Sequence, residues 1–304
     1  MRGRLIVLNK DEDTLSVIDA ETGRTETKVE TSHNPHEIVV TRDQKKAYIA
    51  CSLGNTLDIL DTTDWTIEKS LTHPSFSFPH GLALSPDQRT LYLASTYNSH
   101  LFRINTEDDT IIDVQPTFQR LSHMVSLSPD GSRAYIPNIG SDNITVFDTE
   151  NLSFVTHIPV GAEPEGIAVH PLHPHLYASN QKDGTLHVID TNTWETLFKR
   201  RIGSVPVRLV FSPDQRHVLT ANRESHDVSV IDTDFILQGE SSPREIKRIP
   251  TGRWAGGIVF DDAGAYAFVA NNKTNDVSVI DTVSWKETAR LDAGIHPDGI
   301  AWLP

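Results

Sequence analysis

Cysteine is almost absent from this chain. Cys51 stands alone among 304 residues, so no intrachain disulfide can form, which fits a reducing compartment. Long apolar runs are missing too: no stretch approaches the ~18 residues that mark a membrane-spanning helix. Met1 to Asn9 carry only a few apolar residues, and the turn Lys10-Asp11-Glu12-Asp13 follows without a small-residue cleavage site. This segment reads as a strand and not a signal peptide. A cytoplasmic location with no membrane partner is therefore expected, although a trimmed secreted or periplasmic chain would look the same. Positive charge is in short supply. Lys and Arg total 27 against 41 Asp and Glu, a formal charge of −14, which argues against a broad phosphate-binding face and a nucleic-acid partner. The chain has no P-loop, dinucleotide fingerprint, G-x-S-x-G elbow or C-x-x-C pair.

What the chain does have is a repeat. A Pro-x-Gly motif followed by two apolar residues recurs about every 42 residues, a period that points to propeller blades. Its seven copies start at Pro35 (PHEIV), Pro79 (PHGLA), Ser122 (SHMVS), Pro164 (PEGIA), Pro206 (PVRLV), Ala255 (AGGIV) and Pro297 (PDGIA). Each repeat holds four short strands, A to D, with period-two alternation between turn signals. In the fourth repeat these are Met124–Leu127, Arg133–Ile136, Asn143–Phe147 and Ser153–Ile158. The chain starts directly with strands B, C and D and stops after a lone strand A, so its two ends are expected to complete one blade and leave no open edge. The expectation is an all-β, seven-bladed β-propeller of four-stranded blades, one domain over residues 1–304. The one sizeable insertion, Asp234–Arg244, reads as a polar surface excursion.

The middle residue of the motif is the working position. It is His36, His80, His123, Glu165, Val207, Gly256 and Asp298 in successive copies. The loop leading into strand A and the loop leaving strand B lie on one face, so these residues should ring the mouth of the central channel. Three imidazoles from consecutive blades, a carboxylate and an open position form a candidate divalent-metal site, with metal–nitrogen distances of about 2.0–2.1 Å. The expected ligands are His36, His80, His123 and Glu165, and the ion could be Zn, Fe, Cu or Mn. Glu165 could instead act as a base, with His123 sharing proton transfer. Arg208 or Arg253 would fix a carboxylate or stabilise an oxyanion. His33, Tyr97, Trp254, His296 and Asp298 complete the candidate substrate contacts. A pocket that moves protons without a metal is the competing use of the same residues.

Other features read as structural. Asn9, Asn138, Asn180, Asn222 and Asn271 end strand B in five copies and should hold blade geometry. Cys51 replaces that Asn in one copy and reads as a buried inert thiol. His170, His173 and His175 fall in an A–B turn on the opposite face. Trp65, Trp194 and Trp285 follow the Asp-Thr turns as outer-strand packing.

These residues resemble the YVTN family of β-propeller repeats. The resemblance rests on IPTG (Ile249–Gly252), IPVG (Ile158–Gly161), PEGIAV, SPDG, YIPN, FVAN and DVSVIDT, and covers essentially the whole chain. It implies the propeller fold. Proteins of this look include surface-layer proteins, periplasmic binding proteins, lactonase-like enzymes and parts of copper enzymes, so fold alone does not fix chemistry. The lactonase-like seven-bladed propellers imply an enzyme acting on a small polar substrate by hydrolysis, isomerisation or lyase chemistry. A binding module presenting one face to a protein, glycan or small ligand is the alternative, and a copper or iron redox enzyme is a second.

Overall fold

A computed structural model describes residues 2–234 and 243–304. Seven antiparallel four-stranded sheets form a seven-bladed β-propeller. Strand A, innermost in each blade, is Pro297–Leu303, Pro35–Val40, Pro79–Leu84, Ser126–Leu127, Pro164–Val169, Pro206–Phe211 and Ala255–Phe260 in blades 1 to 7. In blade 1 it pairs antiparallel with Arg4–Asn9, in the register Leu5↔Trp302, Ile6↔Ala301 and Val7↔Ile300. The first and last strands thus share a sheet and close the ring, as the terminal repeats required. Among the described residues no helix is long and apolar enough to cross a membrane. Of the Asp234–Arg244 insertion, residues 235–242 lie outside the described residues.

The alternation of the sequence maps onto burial. Strands B and C are sandwiched between neighbouring blades, so Leu5 to Asn9 are buried without a break. The outer strand faces water on one side, and Thr25–Glu30 shows only alternate protection. Apolar residues from adjacent blades interlock between the sheets, as where Ile6 and Leu8 of blade 1 meet Ile38 and Ile49 of blade 2. Trp65, Trp194 and Trp285 pack against three such layers from the outer side.

Asn residues hold strand B to strand C. The Asn271 amide donates to Asp276 at 2.6 Å and to Ser278 at 2.8 Å, and Asn138 and Asn222 repeat the pattern. Burial and the adjacent Asp58 push the Cys51 thiol far up, so it stays protonated. His170 accepts the Leu172 and His173 amides at 3.1 Å within the turn that joins strands A and B, away from the channel mouth.

Strand A of blade 4 is shorter than its sequence pattern. Only Ser126–Leu127 forms a ladder, after an isolated bridge between Ser122 and Asn138. The strand B it should pair with, Arg133–Asn138, carries Pro137, which has no N–H to give to the ladder. The His123 carbonyl turns to the neighbouring blade instead and accepts the Gly81 amide at 2.9 Å.

Candidate functional site

The residue before each motif copy lies in the left-handed region although none is glycine: Asn34, Phe78, Leu121, Glu163, Val205, Trp254 and His296 have φ between +53° and +62°. Each is held there by its carbonyl, which accepts the amide of the residue following strand B. Thr96 to Phe78 and Arg223 to Val205 are both 2.9 Å. Six blades then carry a register shift between strands A and B at the motif itself. A β-bulge of this kind re-aims a side chain. In those six it turns the middle residue of the copy toward the axis.

All seven middle residues line one cavity of about 320 Å³ at the channel mouth. Tyr97, Trp254 and Arg208 join them, whereas His33, Arg253 and His296 are not part of its lining. His33 is largely exposed and pairs with Asp13, and His296 bonds Asp11 and accepts from Lys273 at 3.2 Å.

Each imidazole faces its own carboxylate. His36 Nε2 lies 3.3 Å from Asp298, His80 Nε2 3.8 Å from Glu37, and His123 Nε2 4.0 Å from Glu165. The His80 and His123 rings are stacked, with centroids 3.7 Å apart and planes at 28°, and His36 is tilted against His80 at 4.5 Å. Stacked rings aim their nitrogens side by side and not at a common point. Among the described residues no group of three or more His, Cys, Asp or Glu is arranged to hold an ion. In this arrangement the expected ligands His36, His80, His123 and Glu165 do not fit a shared metal, and we derive no step through one.

Burial holds His80 and His123 well below the ordinary imidazole range, aided next by His123 acting on His80 and by His36 acting on His123. Burial also lowers His36, with Asp298 opposing it. The carboxyls separate into two kinds. Burial pushes Glu37 and Glu165 up to about 7 against the pull of nearby arginines. Burial pushes Asp298 up as well, but Lys10 at 3.0 Å, His36 and Arg208 outweigh it and hold the group far below the usual range. Environments that drive neighbouring carboxyls apart mark different roles. Asp298 is a fixed anion, whereas Glu165 changes charge near neutrality.

Of the residues that replace the motif glycine, Arg208 was expected at the site, whereas Glu37 and Met124 were not. Glycine holds the third motif position at Gly81, Gly166, Gly257 and Gly299, but Glu37, Met124 and Arg208 replace it in the other copies. Those glycines permit close approach of the blades: a Cβ on Gly81 would lie 2.5 Å from Met124 Cα, and one on Gly299 2.6 Å from the His36 carbonyl. Where the glycine is absent the side chain enters the channel. Arg208 donates to Glu37 through Nη2 and contacts Met124 Sδ at 2.9 Å through Nη1. The departures from glycine were the available signal. Lys10, Thr96 and Arg223 were also missed. Each directly follows strand B, and the carbonyl clamp brings it into the cavity wall.

The fold and this acid–base pocket define a seven-bladed propeller with a polar, enclosed channel mouth. The family model "Lactonase, 7-bladed beta-propeller" matches residues 121–291 and "YNCE-like beta-propeller" matches residues 2–153. The chain belongs to the lactonase-like seven-bladed β-propeller family. Similar solved structures include hydrazine synthase of Kuenenia stuttgartiensis (19% identity, 92% of each chain, TM-score 0.82). A Bacteroides fragilis protein provisionally described as a 6-phosphogluconolactonase is 16% identical, with 99% of this chain and 98% of that one covered and a TM-score of 0.82. A Lactobacillus plantarum protein is 15% identical over the full length of both chains, with a TM-score of 0.84. At these identities the likeness is one of fold. No curated protein matches the sequence.

Proposed function

We propose that the channel mouth hydrolyses a small cyclic ester by general acid–base catalysis. The observation that carries this reading is Glu165: a carboxyl lining the cavity, pushed up to about 7, with His123 Nε2 beside it. A base titrating near the working pH combines availability with proton affinity. Ionised Glu165 takes a proton from water as the water oxygen bonds to the lactone carbonyl carbon. Lys10, which lines the same cavity and is paired with Asp298, supplies positive charge toward the tetrahedral oxyanion. When the ring C–O bond breaks, the leaving alkoxide receives the proton held by Glu165, and the product is a hydroxy acid. His123, whose Nδ1 is 3.0 Å from Thr96 Oγ1, lies 4.0 Å from Glu165 through Nε2 and stays neutral.

Family membership and the provisional lactonase description of the B. fragilis neighbour support the reaction class. The stacked geometry of the histidines favours metal-free proton transfer over a shared divalent ion. Hydrolysis of a panel of γ- and δ-lactones, followed by proton release, tests the proposal. It expects turnover that survives exhaustive chelation and is lost in Glu165→Gln. Turnover that tracks metal content would restore the His36, His80 and His123 site as an ion-binding one. No turnover of any lactone, with ligand binding intact, would leave a binding module.

A further inference from the structure

The rim of the cavity is chemically two-sided. On the side of blades 3 and 4, Phe78, Tyr97 and Leu121 line the cavity with apolar side chains. The Phe78 and Tyr97 rings lie 4.8 Å apart, and Phe78 stacks parallel to His80 at 6.1 Å. Tyr97 is 63% exposed and Leu121 37%, although both line the cavity. Scattered surface hydrophobics need no explanation, but apolar side chains that line one concave site do.

The side of blades 6 and 7, three blades round the ring, is cationic. The Arg223 guanidinium lies 5.3 Å from the Trp254 ring centroid and Lys273 Nζ 4.8 Å from the same ring. Arg223 and Lys273 are hydrogen-bonded to neutral groups, the Gln181 amide oxygen at 3.1 Å from Arg223 and the His296 ring at 3.2 Å from Lys273, while the Arg223 charge also acts on the Glu165 carboxyl. Arg223 lines the cavity, and a planar carboxylate matches the fork of donors on its guanidinium.

We infer that the site takes a small amphiphilic anion, an aromatic or alkyl-bearing molecule with a carboxylate-like group: the anionic group sits against Arg223 and the apolar end against Phe78, Tyr97 and Leu121. This rests on the reading above and narrows its substrate from any polar lactone to one with two unlike ends. The cavity is at the small end of ligand pockets, so the ligand is a single small molecule and not a polymer segment.

Three probes separate the two ends: 4-phenylbutyrate, butyrate and 4-phenylbutanol, titrated calorimetrically into the full chain. The acid with the ring is expected to bind at least about tenfold more tightly than either the acid without it or the alcohol. Arg223→Gln should erase the acid–alcohol difference, and Tyr97→Ser should shrink the advantage of the ring, with each variant first confirmed folded by its melting temperature. Equal affinities for the three probes, or no binding by any, overturn the inference. Binding with the stated preferences but without lactone turnover upholds the inference and removes the hydrolase reading. Turnover without those preferences does the reverse.

Discussion

Arg208 of blade 6 and Glu37 of blade 2 meet across the channel axis, the guanidinium donating to the carboxylate. Both stand where four other repeats have glycine. The pair lies beside the histidines, with Glu37 3.8 Å from His80 Nε2, and the Arg208 charge also acts on Glu165 and Asp298. One ion pair therefore links packing along the axis to the charge of the site.

Arg208→Met should be strongly destabilising at pH 8, by about 3–5 kcal/mol, because it leaves Glu37 buried and ionised without its partner. The loss should shrink at pH 5, where Glu37, already pushed up to about 7, takes a proton and becomes neutral. Denaturant unfolding at the two pH values measures this. Equal stability of variant and parent at pH 8 would show that the pair carries no structural weight.

Glu165 makes a second, signed prediction about stability. Its folded value of about 7 lies above the ordinary 4.5. The folded state therefore binds the proton more tightly than the unfolded chain does. The associated stability is complete below pH 4.5 and lost as pH rises through 7, about 3 kcal/mol in all. Glu165→Gln removes that dependence. Relative to the parent, the variant should gain roughly this amount between pH 4.5 and pH 8 in parallel urea titrations. A constant difference across the range would mean that Glu165 is not held near neutrality.

Two adjacent glycines should behave differently. A Cβ on Gly257 would sit 2.2 Å from the Asp298 carbonyl oxygen, which is backbone and cannot step aside. Gly257→Ala should cost about 1–3 kcal/mol, as other overpacking changes do. A Cβ on Gly256 would come closest to the Asp298 carboxylate, at 3.2 Å, with the Ala270 carbonyl at an ordinary 3.7 Å. Gly256→Ala should change stability by no more than about 0.5 kcal/mol. Thermal melts of the two variants decide it, and equal losses would contradict the close approach of blades 7 and 1.

The blade count, the closing of blade 1 by its two terminal strands and the ring of middle motif residues were legible because each depends on period and topology alone. The seven motif copies fix how many sheets form, and the bulge at six of them makes neighbouring positions equivalent. The partnerships within the ring were not legible. Whether His36, His80 and His123 converge or stack depends on side-chain direction, and the glutamate facing His80 comes from the motif position otherwise held by glycine. Arg223 and Lys10 each follow strand B, 42 residues from the equivalent positions Gln181 and Ser52. Only the carbonyl clamp brings them into the wall, and period alone did not mark their charges. The shortened strand A of blade 4 was readable in retrospect from Pro137.

The central claim is that Glu165 acts as a base near neutrality without a shared metal. Its most direct test is the pH dependence of kcat/KM for lactone hydrolysis by chelator-treated protein, parent against Glu165→Gln. The account predicts a single-proton limb rising through about pH 7 in the parent. In the variant it predicts a loss of about 10²–10⁴-fold with the melting temperature retained. Activity that disappears on chelation, or a Glu165→Gln variant with the parent's rate and profile, would contradict it.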